Sequence, residues 1–180
     1  MKYRPQKHLL IGGPGTGKSS TLNYLSDLGY YCLPEIAREI TLAAKEKGID
    51  QLYLTDPLAF SKALLDGRIQ QFKKASEVNE NVVYLDRGIP DVSAYLNYSN
   101  QFYPDKFNKM NTKYTYDKVF HFPIWDEIFI NDNERYENLD EAKKIDDYLQ
   151  KTYQDLGYQL INVPKLSIKQ RANFIIQHQI

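Results

Sequence analysis

The segment Leu9-Leu10-Ile11-Gly12-Gly13-Pro14-Gly15-Thr16-Gly17-Lys18-Ser19-Ser20 joins an apolar strand, a glycine-rich turn and the start of a helix. Residues 12–19 fit the pattern G-x-x-x-x-G-K-[ST] without a mismatch, and this pattern is the phosphate-binding P-loop. A match by chance is expected in about one chain of this size in a hundred, because glycine makes up only roughly 7% of residues. The segment therefore predicts a site for a nucleoside triphosphate.

Each part of this loop has a predicted task. The glycines let the backbone turn so that successive N–H groups point at phosphate oxygens, and the following helix adds its N-terminal partial positive charge. We expect Lys18 to reach the β- and γ-phosphates of ATP and the hydroxyl of Ser19 to bind Mg²⁺. The residues predicted to bind the nucleotide are Gly12, Gly13, Pro14, Gly15, Thr16, Gly17, Lys18, Ser19 and Ser20.

A second motif lies at Val82-Val83-Tyr84-Leu85-Asp86, where four apolar residues precede an acid. This Walker B pattern predicts that Asp86 holds Mg²⁺ through water, although a strand can also end in Asp as a turn residue. Arg87 follows directly, where motor ATPases usually carry a Glu that activates water. Asp-Arg favours a site that also holds an anionic or hydroxyl-bearing substrate. The alternative is that Arg87 pairs with a nearby carboxylate.

Two more charged residues are candidates for catalysis. Glu35 follows a predicted strand and is placed to take the proton of an acceptor hydroxyl or to hydrogen-bond a sugar; alternatively, it is an acid favoured by a helix N-terminus. Arg135 lies in Asn133-Glu134-Arg135-Tyr136-Glu137, where a loop above the phosphates would let it stabilise the phosphoryl group in transfer. The alternative is a solvated run of charges. The segment Asn162-Val163-Pro164 ends the fifth strand and is expected at the edge of a base pocket, unless Pro164 only ends the strand.

Apolar runs alternate with helical patterns along the chain. Strands are predicted at 9–11, 30–33, 82–85, 118–122 and 159–163. This alternation indicates an α/β fold, a three-layer α/β/α sandwich around a five-stranded, mostly parallel sheet, with ligand groups at the carboxyl ends of the strands. We expect one domain over 1–180, a lid loop at 124–137 and a partly helical surface excursion at 99–117. The first helix is expected to bury Leu22, Leu25 and Leu28.

Composition excludes several classes of protein. Lys+Arg and Asp+Glu both total 23, so the net charge of zero argues against a broad nucleic-acid surface. No apolar run approaches transmembrane length, and we expect a cytoplasmic protein without a membrane partner. The lone Cys32 is expected to be a small core residue. The three histidines lack the spacing of a zinc site.

Beyond the P-loop, the chain carries an ordered set of motifs: Pro34-Glu35-x-Ala37-Arg38-Glu39, Leu85-Asp86-Arg87-Gly88-x-Pro90-Asp91, Glu134-Arg135-Tyr136, Val163-Pro164 and Arg171-Ala172-x-Phe174-Ile175. Over nearly its whole length the chain thereby resembles AAA_28-type ATPase or kinase domains. These are similar to the ribosylnicotinamide-kinase domain of the bifunctional bacterial NAD regulator and to P-loop nucleoside and nucleotide kinases. The resemblance implies a kinase-like P-loop fold with strand order 2-3-1-4-5. By analogy with deoxynucleoside kinases, it also implies that Glu35 is the base for the acceptor hydroxyl and that Arg87 is the arginine beside it.

These observations predict an ATP- and Mg²⁺-dependent phosphotransferase with a small hydroxyl-bearing acceptor, a nucleoside or a related metabolite. Lys18, Glu35, Asp86, Arg87 and Arg135 are the expected catalytic residues, with Asp86 replacing Glu35 as base if Glu35 has another role. Two alternatives stay open: a regulatory module gated by ATP, and a plain ATPase. The oligomeric state is also left open.

Overall fold

The computed structural model describes residues 4–50, 52–129 and 138–179. Within them, five strands form one sheet in the order β2-β3-β1-β4-β5, and all four pairings are parallel. The strands are β1 (Gln6–Ile11), β2 (Tyr31–Leu33), β3 (Val82–Asp86), β4 (Lys118–His121) and β5 (Leu160–Asn162). This order confirms the one implied by the family resemblance.

Helices connect the strands and cover both faces of the sheet. They are α1 (Lys18–Asp27), α2 (Ala37–Glu46), α3 (Leu52–Thr55), α4 (Pro57–Glu77), α5 (Ile89–Tyr98), α6 (Lys106–Lys113), α7 (Leu139–Asp155) and α8 (Ile168–Gln177), with a 3₁₀ turn at Asp126–Ile128. Because neighbouring side chains of a strand point to opposite faces, Leu9 packs in the core shared with α4 and α5, and Leu10 packs in the core shared with α1 and α8. The predicted three-layer sandwich is therefore confirmed.

Several helix ends follow the capping signals in the sequence. Asp56 accepts a hydrogen bond from the backbone N–H of Ala59 at 2.9 Å at the start of α4. Asn138 and Glu141 form a reciprocal capping box at the start of α7, with both bonds at 2.9 Å. These bonds satisfy N–H groups that have no partner inside the helix, and they fix where the two long helices begin.

Two predictions about burial were wrong. Leu28 was expected on the buried face of α1 but is 50% exposed, because α1 ends at Asp27 and Leu28 lies beyond its last turn. Residues 99–117 were expected to run over the surface. They do contain a helix, α6, but Phe107 and Tyr116 are only 2% and 5% exposed and belong to the main core.

Two further expectations concern Cys32 and membranes. Cys32 is partly buried against the core beneath α1, and this burial raises the pKa of its thiol to about 12. Within the part of the chain that the structure describes, none of the helices is both long and apolar enough to span a membrane.

Candidate active site

The P-loop connects β1 to α1, and its glycines are required by both backbone and packing. Gly12, Gly15 and Gly17 have φ angles of 145°, 76° and 83°, in a region that glycine adopts without strain. A Cβ atom on Gly12 would lie 2.4 Å from the carbonyl oxygen of Phe122. The loop is therefore curled tightly and packed directly against the chain that follows β4.

Lys18 places a positive charge inside this curl. Its side chain is 6% exposed, and Nζ donates to the carbonyl oxygens of Gly12 at 2.9 Å and Gly13 at 2.8 Å and to the hydroxyl of Thr16 at 3.2 Å. Burial, aided by the positive charge of Arg87, lowers the pKa of Lys18 to about 8. The ammonium group is thus held by the loop whose N–H groups are expected to face phosphate.

Ser19 and Asp86 meet beside the loop, as the two motifs predicted. The hydroxyl of Ser19 donates to Oδ2 of Asp86 at 2.7 Å. Asp86 is 2% exposed, and its Oδ1 atom has no hydrogen-bond partner among the described residues. Burial raises the pKa of Asp86, while Lys18 and Arg87 act against that rise. A hydroxyl and a carboxylate with a spare oxygen are the ligands that Mg²⁺ prefers, so the residues present fit this ion.

Glu35 lies between β2 and α2 at the same edge of the sheet. Its Oε1 atom accepts from the backbone N–H groups of Ile36 at 2.9 Å and Ala37 at 3.0 Å. Arg68 contacts this oxygen at 3.1 Å, and Nε of Arg87 lies 2.8 Å from Oε2. Burial alone would raise the pKa of Glu35, but the two arginines outweigh it and the pKa is lowered. Glu35 is therefore an acid at the N-terminus of a helix, as the alternative prediction stated. It also pairs with Arg68 and Arg87.

Arg87 is fixed by two carboxylates and one ring. Besides Glu35, its Nη1 atom lies 3.2 Å from Oδ1 of Asp91, which is fully buried. Its guanidinium carbon is 5.3 Å from the centre of the Tyr95 ring. Its φ of 68° is uncommon for a residue other than glycine, and such strain concentrates at functional sites. The predicted alternative, pairing with a carboxylate, is confirmed.

The sequence analysis missed Arg68, which belongs to a cluster with Glu35, Arg87 and Asp91. It is 4% exposed, and its Nη1 atom donates to the carbonyl oxygen of Gly88 at 2.8 Å. It follows Leu65 by three residues and precedes Phe72 by four, so it lies on the buried face of α4. This position in the sequence could have indicated a buried ion pair, because a charged residue on an apolar helical face needs a buried partner.

A narrow cleft opens on the other side of the P-loop. Nη1 of Arg171 donates to the carbonyl oxygen of Thr16 at 2.9 Å, and the guanidinium carbon lies 5.8 Å from the ring centre of Trp125. Val163 and Pro164 line the same cleft. Val163 and Pro164, which are predicted to border a base pocket, therefore lie beside the P-loop.

The predicted catalytic and metal-binding residues that the structure describes come together. Lys18, Ser19, Glu35, Asp86 and Arg87 lie near the carboxyl ends of the three adjacent strands β1, β2 and β3. Pro14 and Gly15 are half-buried within the loop, and Ser20 is exposed in the first turn of α1. Arg135 falls at 130–137, outside the described residues, as does the second half of the predicted lid loop.

Solved structures of several kinases share this fold. Deoxyadenosine kinase from M. mycoides matches with a TM-score of 0.72 and 17% identity, over 96% of this chain and 97% of that chain. Thymidylate kinase from Candida albicans matches with a TM-score of 0.64 and 19% identity, over 97% and 90%. The NadR protein in complex with NR matches with a TM-score of 0.70 and 15% identity, over 96% of this chain and 49% of that chain. At these identities the likeness shows the fold.

Sequence comparison gives the family. No curated protein is significantly similar in sequence. Residues 7–171 match the family AAA_28, described as an AAA domain, and this match includes the P-loop, Glu35, Asp86 and Arg87. The chain therefore belongs to the AAA_28 family of AAA domains.

Proposed function

We propose that this chain is an ATP- and Mg²⁺-dependent phosphotransferase acting on a small hydroxyl-bearing acceptor, a nucleoside or a related metabolite. The observation that carries the proposal is the Glu35 carboxylate, bonded to Arg68 and Arg87 at 3.1 Å and 2.8 Å, at the same sheet edge as the P-loop. An enzyme that only hydrolyses ATP needs no such second cluster. A phosphotransferase needs one, because the acceptor must be held and deprotonated next to the γ-phosphate.

The P-loop side of the site would bind the nucleotide. Its N–H groups and Lys18 hold the β- and γ-phosphates, and the base lies against the cleft beside Trp125, Val163 and Arg171. Ser19 and Asp86 hold Mg²⁺. Bound there, the ion would neutralise charge that develops on the phosphate oxygens.

The Glu35 side would bind the acceptor. The proton of the acceptor hydroxyl passes to Glu35 as the acceptor oxygen bonds to the γ-phosphorus and the bond from that phosphorus to the β–γ bridging oxygen breaks, leaving ADP. The lowered pKa of Glu35 keeps its carboxylate ionised at neutral pH, so that its oxygens can accept a hydrogen bond from the acceptor hydroxyl. Arg87 stabilises the phosphoryl group in transfer. Arg135 is assigned the same task from the sequence alone.

The names of the structural relatives favour this acceptor class. Deoxyadenosine kinase and thymidylate kinase are named for a nucleoside and a nucleotide, and the NadR protein was solved in complex with NR. With 15–19% identity the choice among such acceptors does not transfer, since pockets on a shared fold vary freely. We therefore propose the class and leave the individual acceptor to experiment.

The test is ADP release from Mg²⁺-ATP, first with water alone and then with a panel of nucleosides, nucleotides and nicotinamide riboside. We expect one acceptor to stimulate release strongly and to give a phosphorylated product by mass spectrometry. Lys18→Ala is the matched control that removes the nucleotide site. Appreciable release with water that no acceptor stimulates would contradict the proposal and favour a plain ATPase. Tight ATP binding with no release would favour an ATP-gated regulatory module.

A further inference from the structure

Asp146 on α7 contacts the first part of the P-loop from behind. Its Oδ1 atom accepts a hydrogen bond from the backbone N–H of Gly13 at 2.9 Å, and Asp146 is 5% exposed. The helix also approaches the loop directly, because a Cβ atom on Gly13 would lie 2.9 Å from the carbonyl oxygen of Ala142. The position of Gly13 therefore depends on α7, which lies more than a hundred residues later in the chain.

His121, the last residue of β4, holds this carboxylate from the other side. Its Nε2 atom lies 3.0 Å and 3.1 Å from the two oxygens of Asp146. Its Nδ1 atom lies 2.8 Å from Oδ1 of Asn162 on β5. Since both ring nitrogens face oxygen atoms, only the doubly protonated imidazolium donates a hydrogen bond to each.

The surroundings support an ion pair at this place. His121 is 3% exposed, and a buried carboxylate is costly unless it is paired and hydrogen-bonded. Nε2 of Gln150 supplies one more donor to Asp146, at 3.0 Å. Among the described residues, the charged groups that act on His121 are Asp146 on α7 and Lys18 at the start of α1. Burial and Lys18 lower the pKa of His121, but the contacts with Asp146 and Asn162 outweigh them and raise it.

We propose that His121 and Asp146 form a buried ion pair that positions the P-loop for nucleotide binding through the N–H group of Gly13. In this proposal the pair acts on the nucleotide through the loop. The inference rests on the proposed function in one respect, because it is tested by measuring nucleotide binding.

The ion pair makes nucleotide binding depend on pH in a defined direction. A raised pKa favours the protonated imidazole, so the pair is intact below the ordinary value of 6.5 and is lost as the pH rises through the raised value. Lys18 adds its own loss of positive charge near pH 8. Nucleotide affinity should therefore be measured across pH for the variants as well as for the wild type, and the difference in affinity between them compared at each pH.

Asp146→Asn separates charge from hydrogen bonding. The amide oxygen still accepts from Gly13 while the amide N–H group donates to a neutral His121, and the side-chain amide of Gln150 has to turn its oxygen toward the new donor. We therefore expect binding within about threefold of the wild type at pH 6.5 and a weaker decline at higher pH. Asp146→Ala removes both interactions, and we expect about tenfold weaker binding at pH 6.5, the worth of a charge-assisted hydrogen bond. We expect a smaller difference at higher pH, where the wild type has itself lost the ion pair.

Asp117 offers a matched control, because its Oδ2 atom accepts from the backbone N–H of Lys7 at 2.7 Å, at the opposite end of β1. Asp117→Ala removes the same kind of bond, a carboxylate that accepts from a backbone N–H group, at the end of β1 away from the P-loop. We expect it to lower the melting temperature without changing nucleotide affinity or its pH dependence.

The experiment has two readouts. The first is titration of the histidine side chains by NMR in the intact wild-type protein, with His121→Asn assigning the signal. The second is binding of a fluorescent, non-hydrolysable ATP analogue with Mg²⁺ from pH 6 to 9. The proposal is overturned if His121 titrates at or below 6.5, or if Asp146→Ala binds the analogue as the wild type does. Absence of binding by the wild type at every pH would instead overturn the proposed function.

Discussion

Glu35→Gln tests the acceptor side of the site most directly. Glutamine keeps the shape of the side chain and one carbonyl oxygen, which still accepts from the N–H groups of Ile36 and Ala37. Its amide nitrogen then faces Nε of Arg87, which lies 2.8 Å from Oε2 in the wild type. Two donors would oppose each other there. The substitution thus removes the proposed proton acceptor and the ion pairs while it leaves the P-loop unchanged.

The structure gives a magnitude for both consequences. Removing one partner of a buried ion pair costs about 3–5 kcal/mol. Glu35 is 23% exposed and keeps two backbone bonds, so we expect a smaller loss of stability, about 2 kcal/mol. In a chain of this size that loss lowers the melting temperature by about 4–8 °C. Loss of a general base lowers kcat by about 10²- to 10⁴-fold.

The assay is acceptor-dependent ADP release below the melting temperature of the variant, together with nucleotide affinity from titration. We expect kcat to fall by the factor above and the affinity for Mg²⁺-ATP to stay within about twofold. Glu39→Gln is the control, since Glu39 lies in the first turn of α2 and is exposed. A Glu35→Gln enzyme with wild-type kcat and a lowered melting temperature would refute the reasoning and leave Glu35 with a structural role only.

Three further changes test other parts of the structure. Lys18→Ala should weaken ATP binding at least about a hundredfold, because a charge-assisted contact is worth roughly 1.5–3 kcal/mol and several are lost; calorimetric titration checks this, with the exposed Lys143→Ala as control. Asp86→Asn should raise the Mg²⁺ concentration needed for half-maximal activity by about 10- to 100-fold, and an unchanged Mg²⁺ dependence would disprove the metal assignment. Phe107→Ala should cost about 3–5 kcal/mol of stability in chemical denaturation, whereas Phe102→Ala, at a residue that is 92% exposed, should stay within about 0.5 kcal/mol.

The features predicted correctly from the residues are those that depend on neighbours in the sequence. The capping box at Asn138 and Glu141 needs only residues three apart, and the P-loop pattern occupies eight consecutive positions. Strand order is different, because Leu9 pairs with Leu85 on one side and Val119 on the other. Periodicity contains no signal for those distant pairings. The correct order came instead from the resemblance to a family.

The residues whose burial the sequence analysis missed are charged or aromatic, and they contact residues far away in the sequence. Arg68 was treated as part of an ordinary helix because its partners are distant in the chain. Glu35 lies 33 residues earlier, and the carbonyl of Gly88 lies 20 residues later. Phe107 lies in a segment rich in Asn, Tyr and Lys that shows no helical period, so its burial could not be inferred. In each case the residue type was known, and the missing information was which distant residue it contacts.

The P-loop itself shows the same division between local pattern and distant support. The motif is recognisable from residues 12–19 alone, but its curl is held by groups that lie more than a hundred residues later. The N–H group of Gly13 is bonded to Asp146, and the carbonyl of Thr16 is bonded to Arg171. When one partner of a buried hydrogen bond is removed, the other is left unsatisfied at a cost in free energy. The affinity of the loop for nucleotide should therefore depend on helices that carry no part of the motif. A glycine-rich pattern therefore predicts that a phosphate site exists, while the residues that give the loop its binding shape are found only from the fold.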